Sequence, residues 1–255
     1  MRVNVLGSGY MGKQIASLLK LIGFDVLIWE NNDSDLENQL IKETIKIEKI
    51  LKLNSEGSIK IEKNLSKFEN FFTIETVKED LDIKKKVFES LKYKENLFTN
   101  TSSIKLSKIG NNINAFHFMN PVTTKFIEIC KINYFSNEYL DQIINKLKTL
   151  SYEIIEVKDT PGFMINKIIF NEISFFFYLI EKEKLNIEDI KKIYSNDFKR
   201  NDPVKLVNII GVDTCLSILK NLNEYDKNYY IPKIFEPSVK SNILGYKNKK
   251  LLKIK

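Results

Sequence analysis

At 255 residues, 43% hydrophobic and 29% charged, the chain has an ordinary globular composition that allows one large domain or two modest ones. Its net charge of +7, from 40 Lys and Arg against 33 Asp and Glu, fits an anionic small ligand, nucleic acid, or simply a Lys-rich make-up. The charges are interleaved rather than massed, which favours the last, so neither a nucleic-acid nor a membrane partner is expected. Two distant cysteines, Cys130 and Cys215, match no redox or metal spacing and read as reduced core residues. With a single histidine, His117, no zinc or iron site is expected.

No basic-then-apolar leader stands ahead of "MRVNVLGSG", so a cytoplasmic location is expected. Val3 to Leu6 is a short apolar strand ending in "GSGYMG". The following "KQIASLLKLIGF" carries apolar residues at helical spacing, and "DVLIWE" is a second buried strand. Strand, glycine turn, helix, strand is a βαβ opening and implies a parallel sheet. Residues 31–56 begin with cap-type residues and predict an amphipathic helix with Leu36, Leu40, Ile41 and Ile45 on its packed face.

"SIKIEKNL" and, more clearly, "FFTIETV" read as strands, "KEDLDIKKKVFESLK" as a helix, "NLFTNTSS" as a strand with its exit loop, and "NAFHFMNP" as a strand ending at Pro121. The alternation persists to "YEIIEVKD" and stops at "DTPGF". Beyond it only helical periodicities remain. The apolar run Phe163 to Ile180, interrupted by Asn166, Lys167, Asn171 and Glu172, is too polar for a membrane span and predicts a long buried helix. "IEDIKKIYS" and "PVKLVNIIGVDTCLSILKNL" are further helices. The expected class is α/β: an N-terminal doubly wound parallel sheet at 1–157, then a smaller all-helical domain at 158–255.

"GSGYMG" sets Gly7, Gly9 and Gly12 in G-x-G-x-x-G register, with Ser8, Tyr10 and Met11 between them. Such a pattern is weak alone and specific after a strand, at the opening of a helix, within a βαβ unit. Gly7 allows the tight turn, Gly9 lets the backbone approach a pyrophosphate, and Gly12 lets helix and strand pack closely. The helix N-terminus then offers unpaired N–H groups to the phosphates. Glu30, closing the second strand, would accept hydrogen bonds from the adenosine ribose and repel a 2′-phosphate, so NAD is the expected cofactor.

His117 sits at the end of a predicted strand, on the side of the sheet where ligands gather in such folds. Glu128 follows after Pro121 has broken that strand. A histidine held by a carboxylate suits the removal of a hydroxyl proton as hydride leaves. By periodicity alone, a lone histidine in an apolar run is more often a core residue than a catalytic one, and that alternative stays open.

"NTSS" (100–103), "HFMNPVTTKFIEI" (117–129) and "DTPGFMINK" (159–167) follow the glycine turn in that order, with "ETVKEDLDIKKKVF" (75–88) between. Together they closely resemble the L-3-hydroxyacyl-CoA dehydrogenase family, which includes 3-hydroxybutyryl-CoA dehydrogenases; the likeness covers about residues 1–30 and 70–215. The resemblance implies a Rossmann-type NAD-binding domain, a helical second domain, an acyl-CoA substrate in fatty-acid metabolism bound between the domains, and a homodimer. It makes His117 the catalytic base, Glu128 its paired carboxylate, and Ser102 the serine at the reacting oxygen, close to the cofactor as well. Asn166 becomes a substrate contact, and Glu79, Lys84 and Asn120 line the nicotinamide half of the NAD site.

The chain departs from the family in places. The histidine-to-glutamate segment is one residue shorter, the arm after Glu30 that touches CoA is shortened, and "DPVKL" replaces a glycine-proline pattern in the second domain. Two other functions are expected alternatives on this scaffold. One is a 3-hydroxy acid or sugar-acid dehydrogenase that does not use CoA; the other is a non-catalytic NAD-binding protein.

Overall fold

The computed structural model describes residues 1–30, 35–54, 56–132 and 138–254. They form two compact units, Met1–Thr160 and Pro161–Lys255.

The first unit is built on one sheet of eight strands: β1 (Arg2–Leu6), β2 (Asp25–Trp29), β3 (Ser58–Glu62), β4 (Phe72–Glu75), β5 (Leu97–Thr99), β6 (Ile113–Phe118), β7 (Phe126–Cys130) and β8 (Glu153–Glu156). Their spatial order is β3-β2-β1-β4-β5-β6-β7-β8. The first six run parallel, as helical crossovers require: α1 (Tyr10–Leu21), α2 (Leu36–Leu51), α3 (Leu81–Glu89) and α4 (Leu106–Ile109) lie between strands in sequence. The link from β6 to β7 is too short for a crossover. It can only reverse the chain, and β7 runs antiparallel to β6, while β8, reached through α5 (Glu138–Thr149), is parallel to β7.

Period-two alternation sorts the side chains of β6. Phe116 and Phe118 enter an aromatic core with Phe72 and Phe98, whose rings stack at 4.5 Å between centroids. His117 therefore points to the opposite face. In α2 the buried positions are Leu36, Leu40, Thr44 and Ile47, and the Thr44 hydroxyl donates to Ser17 of α1 at 2.9 Å. Ile41 and Ile45, expected on the packed face, are exposed: the 36-40-44-47 stripe follows the helical repeat, and they stand one residue off it. Residues 31–34, expected to begin this helix, lie outside the described residues.

The second unit consists of α6 (Ile165–Glu181), α7 (Ile187–Asn196), α8 (Pro203–Ile210), α9 (Val212–Tyr225) and α10 (Phe235–Lys240). Asp202 caps α8 by accepting from the Val204 and Lys205 amides, with Pro203 in the first turn. The run expected as one helix divides at Gly211, whose φ of 105° ends α8 and starts α9. Phe170, Ile173 and Phe177 of α6 pack with Val207, Leu219 and Phe235. The opposite side of α6 carries exposed Ile168, Phe175 and Tyr178, so this helix buries one face within its unit rather than its whole circumference. Among the described residues no helix is long and apolar enough to cross a membrane.

One ionic staple ties α3 to the sheet. The Lys84 ammonium, 1% exposed, donates to Glu75 Oε1 at 2.9 Å and Oε2 at 3.1 Å, and pairs with Glu79 Oε2 at 3.2 Å. Burial alone would lower the lysine, but the charges of Glu75 and Glu79 outweigh it and hold the ammonium above its ordinary range. Burial pushes the Glu75 carboxyl up, against the pull of Lys84 and Thr99. Lys84→Met strands a buried carboxylate and should cost about 3–5 kcal/mol in urea unfolding. Its folded state then keeps a proton that the unfolded chain has released, so the variant's stability should fall as pH rises from about 5 to 8. An unchanged midpoint at both pH values would refute the staple.

Candidate active site

The exits of β1, β2, β4, β5 and β6 share one edge of the sheet, and the strand order reverses between β1 and β4, the place where such sheets bind ligands. The glycine turn leaves β1 there. A side chain at Gly7, with φ 109°, would strike the backbone of Thr76 and Val77, and one at Gly12 would collide with the Gly7 carbonyl oxygen. A Cβ at Gly9 would meet nothing within 4 Å. The turn is thus closed behind and open in front, as approach of a phosphate demands. α1 begins at Tyr10 with no side-chain cap and no acidic residue in its first turn, which leaves its N-terminal amides and dipole to an anion. Met11 is partly buried in that turn, and Tyr10 is exposed.

Ser8 and Glu30 meet by a hydroxyl–carboxylate hydrogen bond, which brings the turn after β1 and the end of β2 together as the NAD reading requires. The residues fit a dinucleotide with a free ribose diol.

His117 and Glu128 are directly opposed across β6 and β7, and Nδ1 lies 2.8 Å from Oε2. Opposed residues of an antiparallel pair share a face, so the reversal at Pro121 suffices to create the contact. The one-residue shortening leaves the pair intact. Glu128 is fully buried and the His117 side chain 12% exposed. With the Nδ1 proton directed to the carboxylate, Nε2 is the basic nitrogen.

Ser102, buried, lies in the loop after β5. Its neighbours Thr101 and Ser103 both donate to Glu79, the latter at 2.6 Å. Burial would raise Glu79, but the charge of Lys84 and these hydroxyls outweigh it and hold its carboxyl below the ordinary range. Glu79 keeps a third of its side chain exposed, whereas Lys84 stands behind it, buried and bonded to protein acceptors. Asn120 is exposed at the turn after β6, ahead of the cis bond to Pro121. Asn166 is half-buried in the first turn of α6, in the second unit.

Three residues passed over in the sequence also hold this edge. Thr76 donates to the Gly7 carbonyl at 2.9 Å, Asn100 Oδ1 accepts from Phe118 N at 2.9 Å, and buried Glu75 joins Lys84 and Thr99. Their signal was position alone: each follows or ends a strand on the ligand edge. Cys130 is no nucleophile, since burial pushes its thiol up to about 12, and burial also raises Cys215.

Comparison with known proteins bears on both units. Residues 2–160 match the NAD-binding domain of 3-hydroxyacyl-CoA dehydrogenase, and residues 162–252 match its C-terminal domain. Mitochondrial hydroxyacyl-coenzyme A dehydrogenase of Sus scrofa is 28% identical over 159 residues, 59% of this chain and 50% of that protein. A probable 3-hydroxybutyryl-CoA dehydrogenase of Bacillus subtilis is 28% identical over 162 residues, 60% of this chain and 56% of that protein. The chain thus spans about half the length of the curated relatives it matches. Among solved structures, FadB2 of M. tuberculosis superposes with a TM-score of 0.81 at 22% identity, over 96% of this chain and 95% of that one. (S)-3-hydroxybutyryl-CoA dehydrogenase PaaH1 of Ralstonia eutropha gives 0.77 at 23%, over 98% and 96%. At these identities the structural likeness is one of fold. The domain matches, together with the glycine cradle and the histidine–glutamate pair, make the chain a member of the 3-hydroxyacyl-CoA dehydrogenase family, with an NAD-binding first domain.

Proposed function

We propose that the protein is an NAD-dependent dehydrogenase that oxidises an L-3-hydroxyacyl-CoA, such as 3-hydroxybutyryl-CoA, to the 3-ketoacyl-CoA, or runs the reverse reduction. The observation that carries this reading is the His117–Glu128 contact at the ligand edge of an NAD-binding sheet. His117 Nε2 takes the proton of the 3-hydroxyl, and Glu128 fixes the ring and stabilises the imidazolium that forms. Ser102 donates to the reacting oxygen. NAD, when bound, supplies the acceptor for the hydride that leaves C3. Glu30 selects the ribose diol over a 2′-phosphate by charge repulsion, while the amides of Gly9 to Gly12 take the pyrophosphate. In reduction the same imidazolium returns its proton to the carbonyl oxygen.

The test mixes protein, NADH and acetoacetyl-CoA and follows NADH absorbance, with free acetoacetate in a parallel arm. Consumption with the thioester alone supports the proposal. Consumption with the free acid alone would move the substrate to a hydroxy acid, and none with either, in a protein that binds NADH, would refute the dehydrogenase reading. His117→Gln should keep fold and NADH binding and lower turnover by roughly two to four orders of magnitude, since no second histidine can substitute. Near-normal turnover would return His117 to the core.

We further propose a cytoplasmic homodimer. The exposed stripe of Ile168, Phe175 and Tyr178 on α6 supports the dimer, because a face of this kind costs free energy in water. Light scattering should give twice the chain mass of 29.8 kDa. Phe175→Asp should shift the population toward the monomer, and a monomeric wild type would end this reading.

A further inference from the structure

Glu75 closes β4 and has no exposed surface. Its carboxylate takes the Val77 amide at 2.6 Å, the Thr99 hydroxyl at 2.7 Å, and Lys84 on both oxygens. Its backbone carbonyl accepts from Asn100 N at 2.8 Å, and its register partner on β5 is Thr99. Side chain and main chain of one residue therefore grip the point where β5 becomes the Ser102 loop.

Beyond Asn100 the β4–β5 ladder ends, and side chains take over. Thr101 and Ser103, on either side of Ser102, donate to Glu79; Glu79 is paired to Lys84, and Lys84 to Glu75. Asn100 holds the other flank through Phe118 N, the residue after His117. We propose that Glu75 is a positioning residue: through Thr99 and Lys84 it fixes the 99–103 segment and so sets where Ser102 stands relative to His117, without touching cofactor or substrate. Stability alone gives little reason for a carboxylate here, because packed apolar residues would avoid its desolvation. Three kinds of donor converge on it, and only an ionised carboxyl accepts on both oxygens; a carboxamide would turn its NH2 toward one of them.

The kinetic arm of the test rests on the dehydrogenase reading, and the exchange arm does not. In Glu75→Gln, hydrogen–deuterium exchange of the peptide spanning 97–104 should quicken roughly ten-fold as the loop opens locally, with the glycine turn unchanged. Thr99→Val loses the hydroxyl bond to Glu75 together with the bond that the hydroxyl accepts from Thr101 N, and should show a smaller effect in the same peptide, which keeps the test alive if Glu75→Gln fails to fold. For acetoacetyl-CoA reduction, kcat of Glu75→Gln should fall about 10–100-fold with KM for NADH within about 3-fold, since a misplaced group costs on that order. Because Glu75 acts through Ser102, Glu75→Gln/Ser102→Ala should be no slower than Ser102→Ala alone. Unchanged exchange in both variants, or multiplicative losses in the double variant, would overturn the proposal. A quickened loop in a protein that does not turn over the thioester upholds the positioning and refutes the reaction instead.

Discussion

Parallel strands can be joined only by crossovers that carry the chain back to the same edge, so β1, β2, β4, β5 and β6 all release it on one side of the sheet. The candidate site of the first unit follows from that constraint. Segments far apart in sequence (the glycine turn, Glu30, Glu79, Ser102 and His117) arrive at neighbouring strand ends because each occupies the first residues past a strand or the last within it. The single antiparallel step, β6 to β7, supplies what a parallel sheet cannot. It places Glu128 directly opposite His117 on the same face, and the pair forms from register alone.

Burial of charge is the second organising feature. Glu75, Lys84 and Glu128 are withdrawn from water almost completely, which is expensive unless each carries its own partners. Glu75 and Lys84 satisfy one another and recruit Glu79, and the hydroxyls of Thr99, Thr101 and Ser103 complete the cluster. Charge-assisted bonds of this kind are short and directional, so they hold a loop to a tighter geometry than apolar packing would. The loop held is the one that carries Ser102.

Much of the cofactor edge was legible. The glycine register, the helix after it and a carboxylate at the next strand end form a local pattern, set by backbone approach to a phosphate, and the structure puts Ser8 against Glu30 within it. The four ordered motifs named the family, and both domain matches agree. Less legible were features that depend on distance through space. Glu75 lay within a predicted strand with no role assigned to it, Lys84 was expected at the nicotinamide half of the NAD site from the resemblance, and neither residue's burial can be read from neighbours in sequence. Ile41 and Ile45 were misplaced because an isoleucine-rich helix offers more than one apolar face, and only the packing of α1 selects among them.

What the sequence determined by itself is therefore local or periodic: the βαβ opening, the NAD fingerprint, and the change from alternating strands to helices after "DTPGF". Backbone sterics and repeat lengths act within a few residues, so they leave a mark in short windows. The tertiary structure alone decided the reversal at β7, the buried Glu75–Lys84 staple and the exposed stripe of α6, and it supplied the register behind the expected His117–Glu128 contact. Each of these joins or separates residues by strand register and helix packing, and a linear chain specifies such partners only once the sheet has closed around them.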